Sequence, residues 1–253
     1  MTAVSQSVTV KDVSMDYEVS GGQLRALEST NLTVPVGGFV SIVGPSGCGK
    51  STLLKLIMGV IQPSRGEIVV HGRPVLGPRS DVGIVFQTAR LLPWRTVFQN
   101  ILLPIELKRR PTAADRQYAE ELISMVGLTG FETRYPSELS GGMQQRASIC
   151  RALITSPELL LLDEPFGALD ALTREVMNAE LNKIWRQTGK SAILITHSIE
   201  EAVFLSERVL VMSPRPGTIV DEIVVQLGAE RNLKDLSNTE FKRAADRVRE
   251  HFR

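Results

Sequence analysis

The chain has 253 residues, 43% hydrophobic and 23% charged, with 29 Lys and Arg against 28 Asp and Glu. This is a globular composition, which excludes a disordered or collagen-like chain, and a net charge of +1 advertises neither a nucleic-acid nor an anionic-membrane partner. Two cysteines make no disulfide framework and fit a reducing compartment; no run of about 18 apolar residues could cross a bilayer, and Met1 to Lys11 lacks the pattern of a signal peptide.

Val8, Val10 and Val13 open a region of strands and turns. Gly21-Gly22 marks a hairpin-like turn, and Leu32, Val34 and Val36 alternate. Phe39 to Val43 is a short apolar run, as in a strand buried on both faces. A Gly-rich turn follows, then a helical stretch from Ser51 to about Met58, and strands at Ile68 to Val70 and Val82 to Phe86. Between Gln87 and Thr155 strand signals vanish, and helical stretches stand near Ala113 to Val126 and Met143 to Ile154. This pattern predicts a helical insertion, about residues 88–155, inside an α/β domain that takes in the whole chain. Strands return at Leu159 to Leu162 and Ala192 to Thr196 around a helix at Leu172 to Thr188, which predicts parallel pairing. Val209 to Met212 and Gly217 to Val224 complete the sheet. Residues 235–253 predict an amphipathic helix with Phe241, Ala244, Val248 and Phe252 on its apolar face, more in keeping with docking on its own domain than with a membrane surface.

Gly44-Pro45-Ser46-Gly47-Cys48-Gly49-Lys50-Ser51 has the phosphate-loop spacing, after a strand and before a helix. Glycines let the backbone turn several N–H groups onto one anion, and the helix start adds favourable partial charge. Lys50 is placed to reach β- and γ-phosphates and Ser51 to ligate Mg²⁺. The same N–H dipoles predict an acidic, alkylatable thiol at Cys48; the alternative is an inert filler of the turn. Leu159 to Leu162 ends in Asp163-Glu164. Strand alternation points the two carboxylates apart, Asp163 to hold Mg²⁺ through water and Glu164 to deprotonate the attacking water. Ser140 is a natural N-cap, and Gly141 and Gly142 open a second helix-start anion site.

From Val8 to about Val224 the chain resembles the nucleotide-binding subunits of ATP-binding-cassette transporters: the phosphate loop, the signature Leu139 to Arg146 and the Leu-rich strand to Glu164 stand in that family's order. The resemblance implies a P-loop ATPase with a mixed β-sheet core and a helical signature subdomain, binding ATP and Mg²⁺. It carries ATP contacts to Tyr17, which would stack on adenine, to Gly44 through Ser51 and Thr52, and to Ser140–Gly142. Gln87 would sense the γ-phosphate and touch Mg²⁺, His197 would act as a switch histidine, and Ala168-Leu169-Asp170 would contact a second copy. Taken singly, Gln87 also reads as a solvated loop residue, His197 as a helix cap and Tyr17 as ordinary core. Leu91-Leu92-Pro93-Trp94 and Met212-Ser213-Pro214-Arg215-Pro216-Gly217 resemble importers of the nitrate, sulfonate and taurine group, although Gly38 and Thr88 depart from that pattern. The resemblance further implies a head-to-tail dimer, a transmembrane permease, a solute-binding protein acting indirectly, and a peripheral place on the cytoplasmic face of the inner membrane. A soluble cassette ATPase working on nucleic acid or ribosomes is the alternative; the chain lacks the coiled-coil insertion or second cassette usual there.

Overall fold

The computed structural model describes residues 5–167, 169–228 and 231–252. β1 (Gln6–Val19) and β2 (Gly22–Pro35) form a long antiparallel hairpin. Its turn needs Gly21 and Gly22, whose φ angles of 106° and 148° disfavour any side chain. β4 (Arg65–Val70) pairs with β1, and the short β5 (Arg73–Pro74) closes a four-stranded sheet in the order β2-β1-β4-β5.

A second sheet holds β3 (Phe39–Val43), β6 (Val82–Val85), β7 (Leu159–Asp163), β8 (Ser191–Thr196), β9 (Arg208–Met212) and β10 (Ile219–Val224). Its order is β10-β9-β3-β8-β7-β6; only β10 is antiparallel to its neighbour. The expected single sheet is therefore two. Alternation sorts the layers: Val40, Ile42, Leu159, Leu161, Ile193 and Ile195 join Val8, Val10 and Val34 of the first sheet. Phe39, Val43, Leu160, Leu162, Ala192 and Leu194 face a larger helical core. Between the sheets lies α1 (Lys50–Ile57), with Leu53, Leu54, Leu56 and Ile57 buried.

Three helices stand between β6 and β7: α2 (Val97–Glu106), α3 (Ala113–Met125) and α4 (Gly141–Leu153). α2 is missing from the sequence reading. Its run from Val97 to Leu103 is too apolar to show a clear period, and Pro93 and Pro104 look like boundaries; Pro104 in fact lies in its last turn, while Thr96 and Gln99 form a capping box. α5 (Ala171–Thr188) links β7 to β8, and α6 (Ile199–Leu205), also unforeseen, follows β8. α7 (Thr239–Glu250) buries Phe241, Ala244, Ala245 and Val248. Phe252, expected on that face, lies past the helix end and is exposed. Arg247 Nη2 and His251 Nε2 hold Asp221 of β10 at 3.1 and 3.0 Å. No helix among the described residues is long and apolar enough to cross a membrane.

Arg231 ties the segment before α7 to α6. Its buried guanidinium donates to the carbonyls of Val203 at 3.1 Å, Phe204 at 3.3 Å and Ser206 at 3.3 Å, where α6 leaves acceptors unpaired, and to Gly228 at 2.6 Å. Arg231→Met removes a charged donor from these carbonyls and should lower stability by about 1.5–3 kcal/mol in urea unfolding. A loss below about 0.5 kcal/mol would show that the carbonyls find other partners.

Candidate active site

β3 delivers the chain to the phosphate loop, and α1 leaves it. Gly47 and Gly49 have φ of 77° and 111°. A Cβ on Gly49 would also stand 2.7 Å from the Leu27 side chain and 2.9 Å from the Ala26 carbonyl, so the position excludes other residues twice over. No side chain caps α1, which leaves its first N–H groups open to an anion. Lys50 is buried and curls back over the loop, donating to Gly44 O at 2.7 Å and Pro45 O at 3.0 Å. Ser46, Gly47 and Ser51 are exposed, while Gly44 is buried beneath them.

Of the two readings of Cys48, the structure supports the inert filler. Its side chain is 1% exposed, packed close to Gly44 and Met212, with Sγ 3.8 Å from Lys50 Nζ. Burial closes it to a reagent, and its own N–H is turned to Pro45 O at 3.3 Å. It fills the turn.

At the end of β7, Asp163 Oδ1 lies 3.5 Å from Ser51 Oγ. Burial and the neighbouring Glu164 charge raise the Asp163 carboxyl above its ordinary pKa, against the pull of Ser51 and Lys50. Glu164 is not on the strand: at φ 45° it turns off it, with its N–H held by Ile195 O at 2.8 Å. The divergence of the two carboxylates thus comes from a left-handed residue, not from alternation. Glu164 Oε2 lies 3.1 Å from His197 Nδ1 and accepts from Gln87 Nε2 at 3.5 Å. Gln87, Glu164 and His197 follow three adjacent parallel strands, and the structure brings them together.

Tyr17 is half-buried, with its hydroxyl 3.3 Å from Thr52 Oγ1. Both line a pocket of about 280 Å³ with Leu24, Ala26, Arg215, Glu164 and the phosphate-loop residues Ser46, Gly47, Gly49, Lys50 and Ser51. Tyr17 is therefore not core. A larger pocket, about 620 Å³ between α5, α6 and α7, includes none of the predicted site residues.

Ser140 caps α4 by accepting from Met143 N at 3.3 Å. Ser140 and Gly141 are exposed, and Gly142 is buried against Thr173. None of the three lines the phosphate-loop pocket, so one chain keeps its two helix-start sites apart. Ala168 lies outside the described residues; Leu169 and Asp170 lead into α5.

Several supporting residues escape sequence reasoning. Gln145 Nε2 donates to Phe86 O at 2.9 Å, joining α4 to the residue before Gln87. Arg174 donates to Phe166 O at 3.3 Å and Leu169 O at 2.8 Å, fixing the turn after Glu164. Thr196 donates to buried Glu201, whose carboxyl is pushed up to about 7 by burial. The Gln145 bond spans 59 positions, and the shorter Arg174 and Thr196 bonds follow no helix or strand spacing that a sequence announces.

The donor set suits a hard cation: Ser51 Oγ, an Asp163 carboxylate and the Gln87 amide oxygen. Among the described residues no group of three or more His, Cys, Asp or Glu is gathered to hold a metal. An ion here would complete its shell with water or with the oxygens of a bound phosphate. With Cys48 and Cys150 both buried, the native protein should show no thiol reactive toward a maleimide, and two after denaturation. Stoichiometric labelling of native Cys48 would restore the accessible-thiol reading.

The family described as ABC transporter matches residues 27–167. The taurine import ATP-binding protein of Yersinia pestis is 49% identical over 203 residues, covering 80% of each chain. The aliphatic sulfonates import ATP-binding protein of Bacillus thuringiensis is 41% identical, covering 97% of this chain and 96% of that one. A solved ATP-binding cassette dimer in a post-hydrolysis state, bound to ADP and phosphate, superposes with a TM-score of 0.75 at 33% identity, covering 87% of this chain and all of the other.

Proposed function

Because the chain belongs to the ABC transporter family of ATP-binding proteins, we propose that its ATPase cycle powers import of a small anionic or organic solute, such as a sulfonate or taurine, through a separate membrane permease. Nitrate belongs to the same proposed range. The observation that carries the catalytic part is the meeting of Gln87, Glu164 and His197 beside the phosphate loop.

In this reading the whole chain is one ATPase domain, with a helical subdomain at about 88–155 and a terminal helix at about 235–253. The loop Gly44–Ser51 and Thr52 hold the triphosphate, and Tyr17 stacks on adenine. Lys50 exchanges the carbonyls of Gly44 and Pro45 for phosphate oxygens. Ser51, Gln87 and Asp163 hold Mg²⁺, which supplies charge neutralisation on the phosphates when bound. The raised carboxyl of Asp163 fits this role, since a divalent cation relieves the cost that burial and Glu164 impose. Glu164 takes the proton from the attacking water, and His197, 3.1 Å from its Oε2, orients it. Ser140, Gly141 and Gly142 serve the nucleotide of a second copy packed head to tail. The assembly sits peripherally on the cytoplasmic face of the inner membrane, and a solute-binding protein feeds the permease from the other side.

Glu164→Gln should keep ATP binding and cut hydrolysis by about 10²–10⁴-fold, because the amide keeps the shape and loses the base. Phosphate release at the wild-type rate would overturn the assignment.

The permease contact has its own support. The cluster after Gln87 splits: Leu91 packs on the helical core, whereas Trp94 is 70% exposed. Buried Asn100 clamps that turn, accepting from Leu92 N at 2.7 Å and donating to the carbonyls of Leu92, Arg95 and Thr96. A rigidly presented, exposed tryptophan seven positions after Gln87, the proposed γ-phosphate sensor, suits a helix of the permease. Trp94→Ala should leave the isolated subunit's stability within about 0.5 kcal/mol of wild type and weaken co-purification with the permease. Full assembly with coupled transport in this variant would remove Trp94 from the interface.

A further inference from the structure

The loop between β9 and β10, Ser213–Gly217, is unaccounted for by the phosphate-loop chemistry, yet it is one of the most firmly braced turns in the molecule. Ser213 and Thr218 bond each other twice, N to O at 2.9 Å and N to Oγ at 3.1 Å. Ser213 Oγ also donates to the carbonyl of Pro216 at 3.2 Å. Gly217 N donates to Ala26 O at 2.9 Å, and Gly217 O accepts from Glu28 N at 3.0 Å and Thr30 Oγ1 at 3.1 Å. A Cβ on Gly217 would lie 2.0 Å from the Cys48 carbonyl, so the loop is seated directly on the phosphate loop. Two prolines flank Arg215 and restrict the backbone that carries it.

What this bracing presents is one side chain. Arg215 lines the pocket of about 280 Å³ with Tyr17, Ala26 and the phosphate loop. It is exposed, and it bonds no described residue, whereas most other arginines here pair with a carboxylate or a carbonyl. The pocket is lined by two cations, Lys50 and Arg215, and one anion, Glu164. Lys50 is engaged by two carbonyls, which leaves Arg215 as the cation with all its donors free. A polyphosphate entering this pocket meets a guanidinium whose planar fork matches its oxygens.

We infer that Arg215 is a nucleotide ligand outside the phosphate loop, contacting the phosphate chain rather than the base. The inference rests on the reading that ATP occupies this pocket. It makes the Ser213–Gly217 turn a wall of the site, whose grip is electrostatic and indifferent to the base.

The test is calorimetric binding of the magnesium complexes of two non-hydrolysable analogues, the β,γ-imido forms of ATP and GTP. Wild type, Lys50→Ala, Arg215→Ala, Arg215→Gln and Arg215→Lys are compared at low and high salt. Arg215→Ala and Arg215→Gln should each weaken both analogues by the same factor, about three- to ten-fold, with unchanged melting temperature. Arg215→Lys should recover part of the loss, and the gap to wild type should narrow as salt rises. Wild-type affinity in both neutral variants overturns the inference, as does a loss for one base only or a loss that salt does not touch. If wild type binds no better than Lys50→Ala, the placement of the nucleotide itself fails; if it binds well and only the Arg215 variants are silent, the fault lies with Arg215 alone.

Discussion

The site depends on the parallel register of four strands. Val43 pairs with Thr196, Asp163 with Ile195 and Val85 with Leu162, so β3, β8, β7 and β6 all finish at one edge of the sheet. Their continuations are the phosphate loop, His197, Glu164 and Gln87. Ligands of open α/β sheets bind outside such carboxyl ends, where chain leaving adjacent strands can converge on one point. A slip of one residue in β7 would move Leu159 and Leu161 from the layer they share with the first sheet into the layer of the helices. Since all four positions are leucine, the polar ends of the run, Glu158 and Asp163, set the register, because a slip would draw one of them into an apolar layer.

Electrostatics then works on this frame at short range. Two adjacent carboxylates, one of them half-buried, raise the cost of charge at Asp163. The left-handed turn at Glu164, held by Ile195 O, directs its carboxyl toward His197 and Gln87. A strand continued through Glu164 would lack that hydrogen bond and that direction. Arg174 holds the next turn by two carbonyls, Phe166 and Leu169. The backbone on both sides of the proposed base is thus fixed by bonds from β8 and α5, which supports a preorganised site.

Much of this was legible in the sequence because its signals are local. The glycine spacing of 44–49, the alternation in β1 and β2 and the apolar run of β7 each announce one element. What stayed hidden is pairing between elements. Alternation says that Val8 and Ile42 are inward, not that they meet across two different sheets. α2 was lost because apolar residues stand on every face of Val97 to Leu103, with buried Asn100 among them, which blurs the helical period. Cys48 stayed open between two readings because N–H dipoles can be inferred from the loop, whereas its burial comes from Met212 and Gly44 in three dimensions. Arg215 looked like a group marker in a Pro-rich turn; its neighbourhood with Tyr17 comes from the Gly217–Ala26 bond.

One bond connects the proposed chemistry to the surface that a second copy would meet. Ser140 and Gly141 stand exposed at the start of α4, and neither lines its own chain's phosphate pocket. Four residues on, buried Gln145 reaches from the same helix to Phe86 O, the carbonyl immediately before Gln87. A helix is stiff along its axis, so displacing its first turn moves Gln145 with it. Loss of that bond would leave the Gln145 amide unpaired in the core, which costs about 1–3 kcal/mol. Phe86 and Gln87 are therefore obliged to follow α4. In the proposed head-to-tail arrangement, an anion on Ser140–Gly142 and one at Gln87 would act on this one lever, which would give the two nucleotides a physical reason to couple.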